Sequence, residues 1–150
     1  MIIRAAAFTD IPQIATLVRS LAHYYLDNSD TDLPSWLEKT LTEEEFNGRI
    51  SSPDYDNFIL EEYCSLVGYI SVKRTGHLYH LFVSEDYQGK GFSRLLWEHV
   101  LKNSDSKTFT LRSSVYAIPV YKRFGFSESG SLATKDGVSF QPMELRLPSE

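Results

Sequence analysis

The chain has 150 residues, of which 42% are hydrophobic and 13% aromatic; that is enough apolar mass for one core, and it excludes a disordered or low-complexity chain. No apolar run is long enough to span a bilayer, and the single cysteine, Cys64, excludes an internal disulfide or a multi-thiolate metal site. The net charge of −5 is unevenly spread: residues 26–62 hold eleven acids against Lys39 and Arg49, while the remainder is mildly basic without the contiguous basic stripe that nucleic acid binding needs. Met1-Ile2-Ile3-Arg4 lacks the charged-then-apolar layout of a secretory signal. The expectation is one soluble, cytoplasmic domain over residues 1–150, with neither a membrane nor a nucleic acid as partner.

Ile2 to Ala6 reads as a first strand. Thr9 is the expected N-cap of a helix with Pro12 in its first turn. Ile11, Ile14, Ala15, Val18, Leu21, Ala22 and Tyr25 recur at helical spacing over about four turns. After a polar break at Asn28 to Pro34, shorter helices follow around Ser35–Leu41 and Glu43–Ser51, the second opened by a Thr42/Glu45 capping box. Phe58–Glu61 and Val67–Val72 then read as a hairpin closed near Tyr63-Cys64-Ser65, with Cys64 expected to be a buried structural thiol. His77 to Val83 is a third strand.

The next helix is expected to bury Phe92, Leu95, Leu96, His99 and Val100. Thr108–Leu111 reads as strand, Val115–Phe124 as helix, Phe126–Ser129 as strand, and Val138–Leu147 as a final strand broken at Pro142. The class is α/β (α+β): a mixed, mostly antiparallel sheet of about seven strands flanked by about four helices, on both faces.

Between the third strand and its helix stands Tyr87-Gln88-Gly89-Lys90-Gly91-Phe92-Ser93-Arg94. A glycine turn entering a helix leaves free backbone N–H groups at the positive end of the helix dipole, a cradle for phosphate oxygens. Neither Gly-x-Gly-x-x-Gly nor the Gly-Lys-Ser/Thr ending is present, so the turn is not that of a dinucleotide fold or of a nucleotide P-loop. Farther on comes Tyr116-Ala117-Ile118-Pro119-Val120-Tyr121, followed by Gly125-Phe126.

Gln88-x-x-Gly91-x-Ser93 together with Tyr121-x-x-x-Gly125-Phe126 resembles the GNAT superfamily of acyl-CoA N-acyltransferases, and the element order matches from Ile3 to Leu147. The resemblance implies that acetyl-CoA is the co-substrate, with no metal, and that a primary amine attacks the thioester directly in a ternary complex. It assigns the coenzyme A pyrophosphate to the backbone of Gln88, Gly89, Lys90, Gly91, Phe92 and Ser93, with Lys90 and Arg94 adding charge. It assigns the pantetheine arm to the backbone of Leu81, Phe82 and Val83, with Tyr116 nearby. A backbone N–H at Phe82 or Val83 is the implied oxyanion donor, and Tyr121 the general acid, since a phenol with pKa near ~10 stays protonated until sulfur takes charge.

His77 and His80 are candidates for the base, expected on opposite faces of their strand; ordered water is the alternative in many members. Two positions depart from the family pattern. Ser93 replaces the usual Gly or Ala. Arg112 stands where related sequences often carry an asparagine that bonds the cofactor arm, leaving Ser113 as its substitute. The acidic segment 26–62 lies where the family builds its acceptor pocket, which favours a cationic amine near Glu43, Glu44 and Glu45, with Tyr24, Tyr25 and Trp36 as candidate walls. Homodimers are common in the family. The alternative function is a catalytically idle acyl-CoA-binding sensor or interaction domain of the same fold.

Overall fold

The computed structural model describes residues 1–148. The first half runs β1 (Ile2–Ala5), α1 (Ile11–Leu21), α2 (Ser35–Thr40), α3 (Glu43–Ser51), β2 (Tyr55–Glu62), β3 (Ser65–Lys73) and β4 (His77–Val83). The second half runs α4 (Phe92–Asn103), β5 (Thr108–Ser114), α5 (Ile118–Arg123), β6 (Ser127–Glu128), β7 (Ala133–Lys135) and β8 (Val138–Arg146). The strands form one sheet in the order β1-β2-β3-β4-β5-β8-β6, with β7 on β8. Every pairing is antiparallel except β4 with β5. That exception follows from α4, which carries the chain back across the sheet as a crossover must.

Two apolar layers hold the sheet. Against one face α4 buries Leu96, Trp97 and Val100, and Trp97 meets Phe109 edge-on at 5.0 Å. Against the other face α1 and α3 bury Ile14, Val18 and Phe46 over Ile59 and Tyr69. The expected stripe on α4 was rotated: Phe92, Leu95 and His99 are only half-buried, and Trp97 takes the centre because Phe109, Phe124 and Phe126 form its aromatic socket. His99 rests edge-on against Phe58 at 4.5 Å.

Several local expectations need correction. Thr9 is not the N-cap; Asp10 occupies that position, following a short 3-10 turn, and accepts the Ala7 N–H at 2.7 Å. The α-helix stops at Leu21, and a 3-10 turn over Ala22–Tyr25 swings Tyr24 and Tyr25 towards the middle of the sheet. Thr42 accepts the Glu45 N–H at 3.3 Å, which is one half of the expected capping box. Cys64 is exposed, because it and Tyr63 form the two-residue apex of the β2–β3 hairpin with φ of 63° and 51°. The helix expected from Val115 starts only at Ile118, since Ser114 to Ala117 form a turn in which Ser114 Oγ accepts the Ala117 N–H at 3.2 Å. Strand β7 lies outside the elements expected from the sequence, although Asp136-Gly137, with φ of 52° and 79°, is a hairpin signal.

One irregularity shapes the centre of the sheet. Ser71 faces His80 and Val72 faces Leu78, so Tyr79 is an extra residue that bulges from β4. The bulge brings Tyr79 and His80 onto one face, where their rings lie 5.7 Å apart and Tyr79 also meets His77 at 5.5 Å. His77 and His80 therefore share a face, against the expectation from simple alternation.

Gly76 fixes how β5 starts. Its N–H donates to the Lys73 carbonyl at 2.8 Å and its own carbonyl accepts the Thr110 N–H at 2.9 Å, with φ at +110°. A Cβ there would run into the Thr108 carbonyl oxygen. Gly76→Ala is expected to cost about 3 kcal/mol, from left-handed strain plus a backbone clash, read as a lower urea midpoint. A second test concerns Asp10, a buried carboxylate bound by Arg4 at 2.8 and 2.9 Å. The Arg4 guanidinium, which also bonds Glu61 at 3.0 Å, holds the Asp10 carboxyl below its ordinary range. A depressed pKa stabilises the fold fully above the unfolded carboxylate value and is lost as pH falls through the folded one. Asp10→Asn should therefore destabilise by about 2 kcal/mol at pH 7, and the gap to wild type should narrow in urea titrations as pH falls below the ordinary carboxylate value of ~3.9.

Candidate active site

The site lies where β4 and β5 part. Their pairing consists of one registered pair, His77 with Thr110, and beyond it the strands diverge. Leu81, Phe82 and Val83 keep their antiparallel partners on β3 but have no ladder partner on the β5 side. Two cavities occupy the gap: a groove of about 530 Å³ and a smaller one of about 90 Å³. Leu81, Val83, Gln88, Ala117 and Tyr121 border both.

The outer end of the groove is the glycine turn. The N–H groups from Gly89 through Arg94 have no backbone acceptor among the described residues, whereas the flanking Gln88 and Leu95 N–H groups donate to the Glu85 and Gly91 carbonyls. Gly89 and Gly91 hold φ of 76° and 81°, and a Cβ on either would meet nothing within 4 Å. Glycine is needed here for the left-handed backbone and not for room. Ser93 lines the groove, as does Arg94, whose Nη2 donates to the Arg123 carbonyl at 2.9 Å and whose guanidinium lies 5.2 Å over Phe124. Lys90 instead sits 5.4 Å over the Tyr87 ring, outside the groove lining.

Tyr121, 9% exposed, stands on the wall common to both cavities. Burial, reinforced by nearby Tyr25, pushes its hydroxyl pKa above the usual phenol value. Tyr24 stacks on Tyr116 at 4.2 Å with 18° between the rings, bridging α1's extension to the β5–α5 turn. The Tyr24 hydroxyl donates to Glu85 at 2.7 Å, and this bond to a carboxylate pushes its pKa up to about 12. The Tyr116 hydroxyl donates to Gln88 Oε1 at 3.1 Å, while Gln88 Nε2 donates to the Val83 carbonyl at 3.0 Å. The Gln88 side chain thus caps a carbonyl that the splay of β4 leaves open.

The remaining candidates fall elsewhere. Phe82 borders the smaller cavity and Phe92 the groove. Ser113 is buried with its hydroxyl donating to the Ser114 carbonyl at 2.7 Å and lines neither cavity, whereas Ser114 lines the smaller one. His80 is buried among Phe46, Tyr69 and Phe82, neither ring nitrogen has a partner among the described residues, and burial beside Arg49 pushes its pKa down to about 3. His77 Nδ1 shares a 2.9 Å hydrogen bond with Thr110 Oγ1, and burial, then Arg112 and Lys73, lowers its pKa. Neither histidine lines either cavity. Of the expected acceptor walls, Tyr24 and Tyr25 line the smaller cavity, whereas Trp36 bonds Asp136 at 2.8 Å and Glu43, Glu44 and Glu45 face solvent on α3. The Tyr24–Tyr116 stack was not legible in the sequence, since its partners lie on distant elements and neither belongs to a local pattern.

The family profile described as an acetyltransferase (GNAT) domain matches residues 25–147. The chain belongs to the GNAT acetyltransferase family. A GNAT fold neighbour, the PaiA N-acetyltransferase of Thermoplasma acidophilum in complex with coenzyme A, is 18% identical, with a TM-score of 0.78 over 97% of this chain and 98% of its own. The ribosomal-protein-S18-alanine N-acetyltransferase of Escherichia coli is 21% identical, with a TM-score of 0.74 over 99% of this chain and 95% of its own. UPF0039 protein C11D3.02c of Schizosaccharomyces pombe is 31% identical over 80 residues, covering 50% of this chain and 53% of the relative. The chain therefore spans about half the length of that curated relative. No helix among the described residues is long and apolar enough to cross a membrane.

Within this GNAT site, Gly91→Ala should lower stability by about 1 kcal/mol without any ligand, purely from left-handed strain at the start of α4. Chemical denaturation with an unchanged far-ultraviolet spectrum is the expected result, in contrast to the larger loss at Gly76.

Proposed function

We propose that the protein is an acetyl-CoA-dependent N-acetyltransferase that transfers the acetyl group directly to a primary amine in a ternary complex. The observation that carries this reading is Tyr121 on the wall shared by the groove and the smaller cavity. A thioester threaded from one side would there meet a nucleophile arriving from the other. Membership of the GNAT family and a fold neighbour in complex with coenzyme A support the choice of donor.

The free N–H groups of Gly89 to Arg94 hold the pyrophosphate without side-chain charge. The pantetheine arm takes the open β4 edge at Leu81, Phe82 and Val83, displacing the Gln88 amide from the Val83 carbonyl. The amine nitrogen attacks the thioester carbonyl carbon, and a β4 backbone N–H steadies the oxyanion. The carbon–sulfur bond then breaks as the Tyr121 phenol gives its proton to the departing thiolate. Desolvation raises the thiolate's proton affinity along with the phenol's, which keeps this transfer matched.

Among the described residues, no carboxylate or imidazole lines the smaller cavity. The acceptor therefore enters as the free base, and the proton shed on forming the C–N bond leaves to solvent, from which the Tyr121 phenolate regains the proton it gave to sulfur. His80, buried and with its pKa pushed down to about 3, takes no part.

Acetyl-CoA at about 100 times its Kd should stabilise the fold by about 2.7 kcal/mol; absence of any thermal shift with acyl-CoA would sink the proposal. Tyr121→Phe should lower kcat by about 100-fold while the acetyl-CoA KM stays nearly constant. Because the Tyr121 pKa is raised, its acid form persists as pH rises. Activity should climb with deprotonation of the acceptor and show no falling limb through the ordinary tyrosine range near ~10.

A further inference from the structure

Among the described residues, Arg112 is the one formally charged side chain lining the smaller cavity, and it does not line the groove. It is exposed and belongs to no ion pair among the described residues. Its cross-strand neighbour is Pro142, and the nearby Glu144 is already shared with Arg146 at 3.9 Å. The charge nearest it on β3 has the same sign: Arg112 and Lys73 both depress His77, while Arg49, 5.6 Å from the centre of the Tyr79 ring, is paired with Glu45. The acids of segment 26–62 that would attract a cation, Glu43 to Glu45, lie away from both cavities.

Arg112 lines the same cavity as Tyr79, Leu81 and Ser114. Arg112 is two residues, about 7 Å, along β5 from the level of Ser114, which lines the smaller cavity together with Leu81 and Tyr121. A carboxylate held by the guanidinium would leave an amine a few bonds away within reach of that level. Arginine suits this task because its planar fork meets a carboxylate with two parallel hydrogen bonds.

We propose that Arg112 is a specificity-determining residue that binds a carboxylate on the acceptor, so the preferred substrates are amines of the amino-acid or short-peptide class rather than polycations. The assignment rests on the acetyl-transfer reading of the site. It gives the arginine a task on the acceptor side in place of the cofactor contact that the family's asparagine makes.

The test uses α-, β- and γ-amino acids and dipeptides, each paired with its carboxamide, at saturating acetyl-CoA. Wild type, Arg112→Gln and Arg112→Lys are compared. Arg112→Gln should lower kcat/KM for the carboxylates by roughly 10- to 100-fold while the carboxamides lose far less, and Arg112→Lys should recover part of the difference. Differing amine pKa values within a pair cancel in this variant-to-wild-type ratio. Equal losses for both members, or a raised KM for acetyl-CoA instead, would overturn the assignment.

Calorimetric titration of the coenzyme A-saturated protein with the same pairs separates the two levels of the argument. Carboxylate binding that depends on Arg112 without turnover would refute acetyl transfer and uphold the role of Arg112. Binding indifferent to the carboxylate or to Arg112 overturns that role whatever the turnover.

Discussion

The structure depends on one incomplete seam. β4 and β5 run parallel and are joined by one registered pair, His77 with Thr110, which Gly76 reinforces by accepting the Thr110 N–H at 2.9 Å. A sheet that simply continued its ladder would satisfy the backbone of Leu81 to Val83 and leave no cleft. Here the seam is pinned at one end and open at the other, and both apolar layers hold it so. Trp97 braces α4 against Phe109 of β5, while α1 and α3 press on β2 to β4 from the opposite face. Buried backbone groups without partners are costly, and the Gln88 side chain satisfies the Val83 carbonyl where the ladder does not.

The glycine turn is local and the meeting point of the two cavities is not. Left-handed φ at Gly89 and Gly91 is written into the glycines, and the open amides follow from the first turn of α4. Tyr121 is brought to the seam by a short helix whose start is delayed by the Ser114 to Ala117 turn. The aromatic bridge from Tyr24 to Tyr116 needs three elements at once: the 3-10 extension of α1, the turn after β5, and Gln88 before α4.

Electrostatics sort the two sides of the cleft in a way that charge counts do not. The acidic run is real in the sequence, yet its glutamates on α3 point to solvent or pair, as Glu45 does with Arg49 at 3.6 Å. Arg112 is one residue in a strand, but alternation turns it towards the smaller cavity, where no acid answers it. A side chain's influence depends on which cavity it faces, and that is fixed by strand register.

The sequence by itself determined the layers, the strand and helix order, the glycine turn and the family resemblance. These depend on periodicity and on residues whose backbone preferences act within a few positions. It misread Cys64 because a hairpin apex and a strand have similar composition, and it misjudged the faces of His77 and His80 because a bulge at Tyr79 breaks alternation without a local signature. Only the tertiary structure decided that Ser114 and not Ser113 meets the cavity, that His80 is sealed among aromatic rings, and that Arg112 lines the smaller cavity. Those outcomes depend on register and packing between segments far apart in the chain, which no short-range preference encodes.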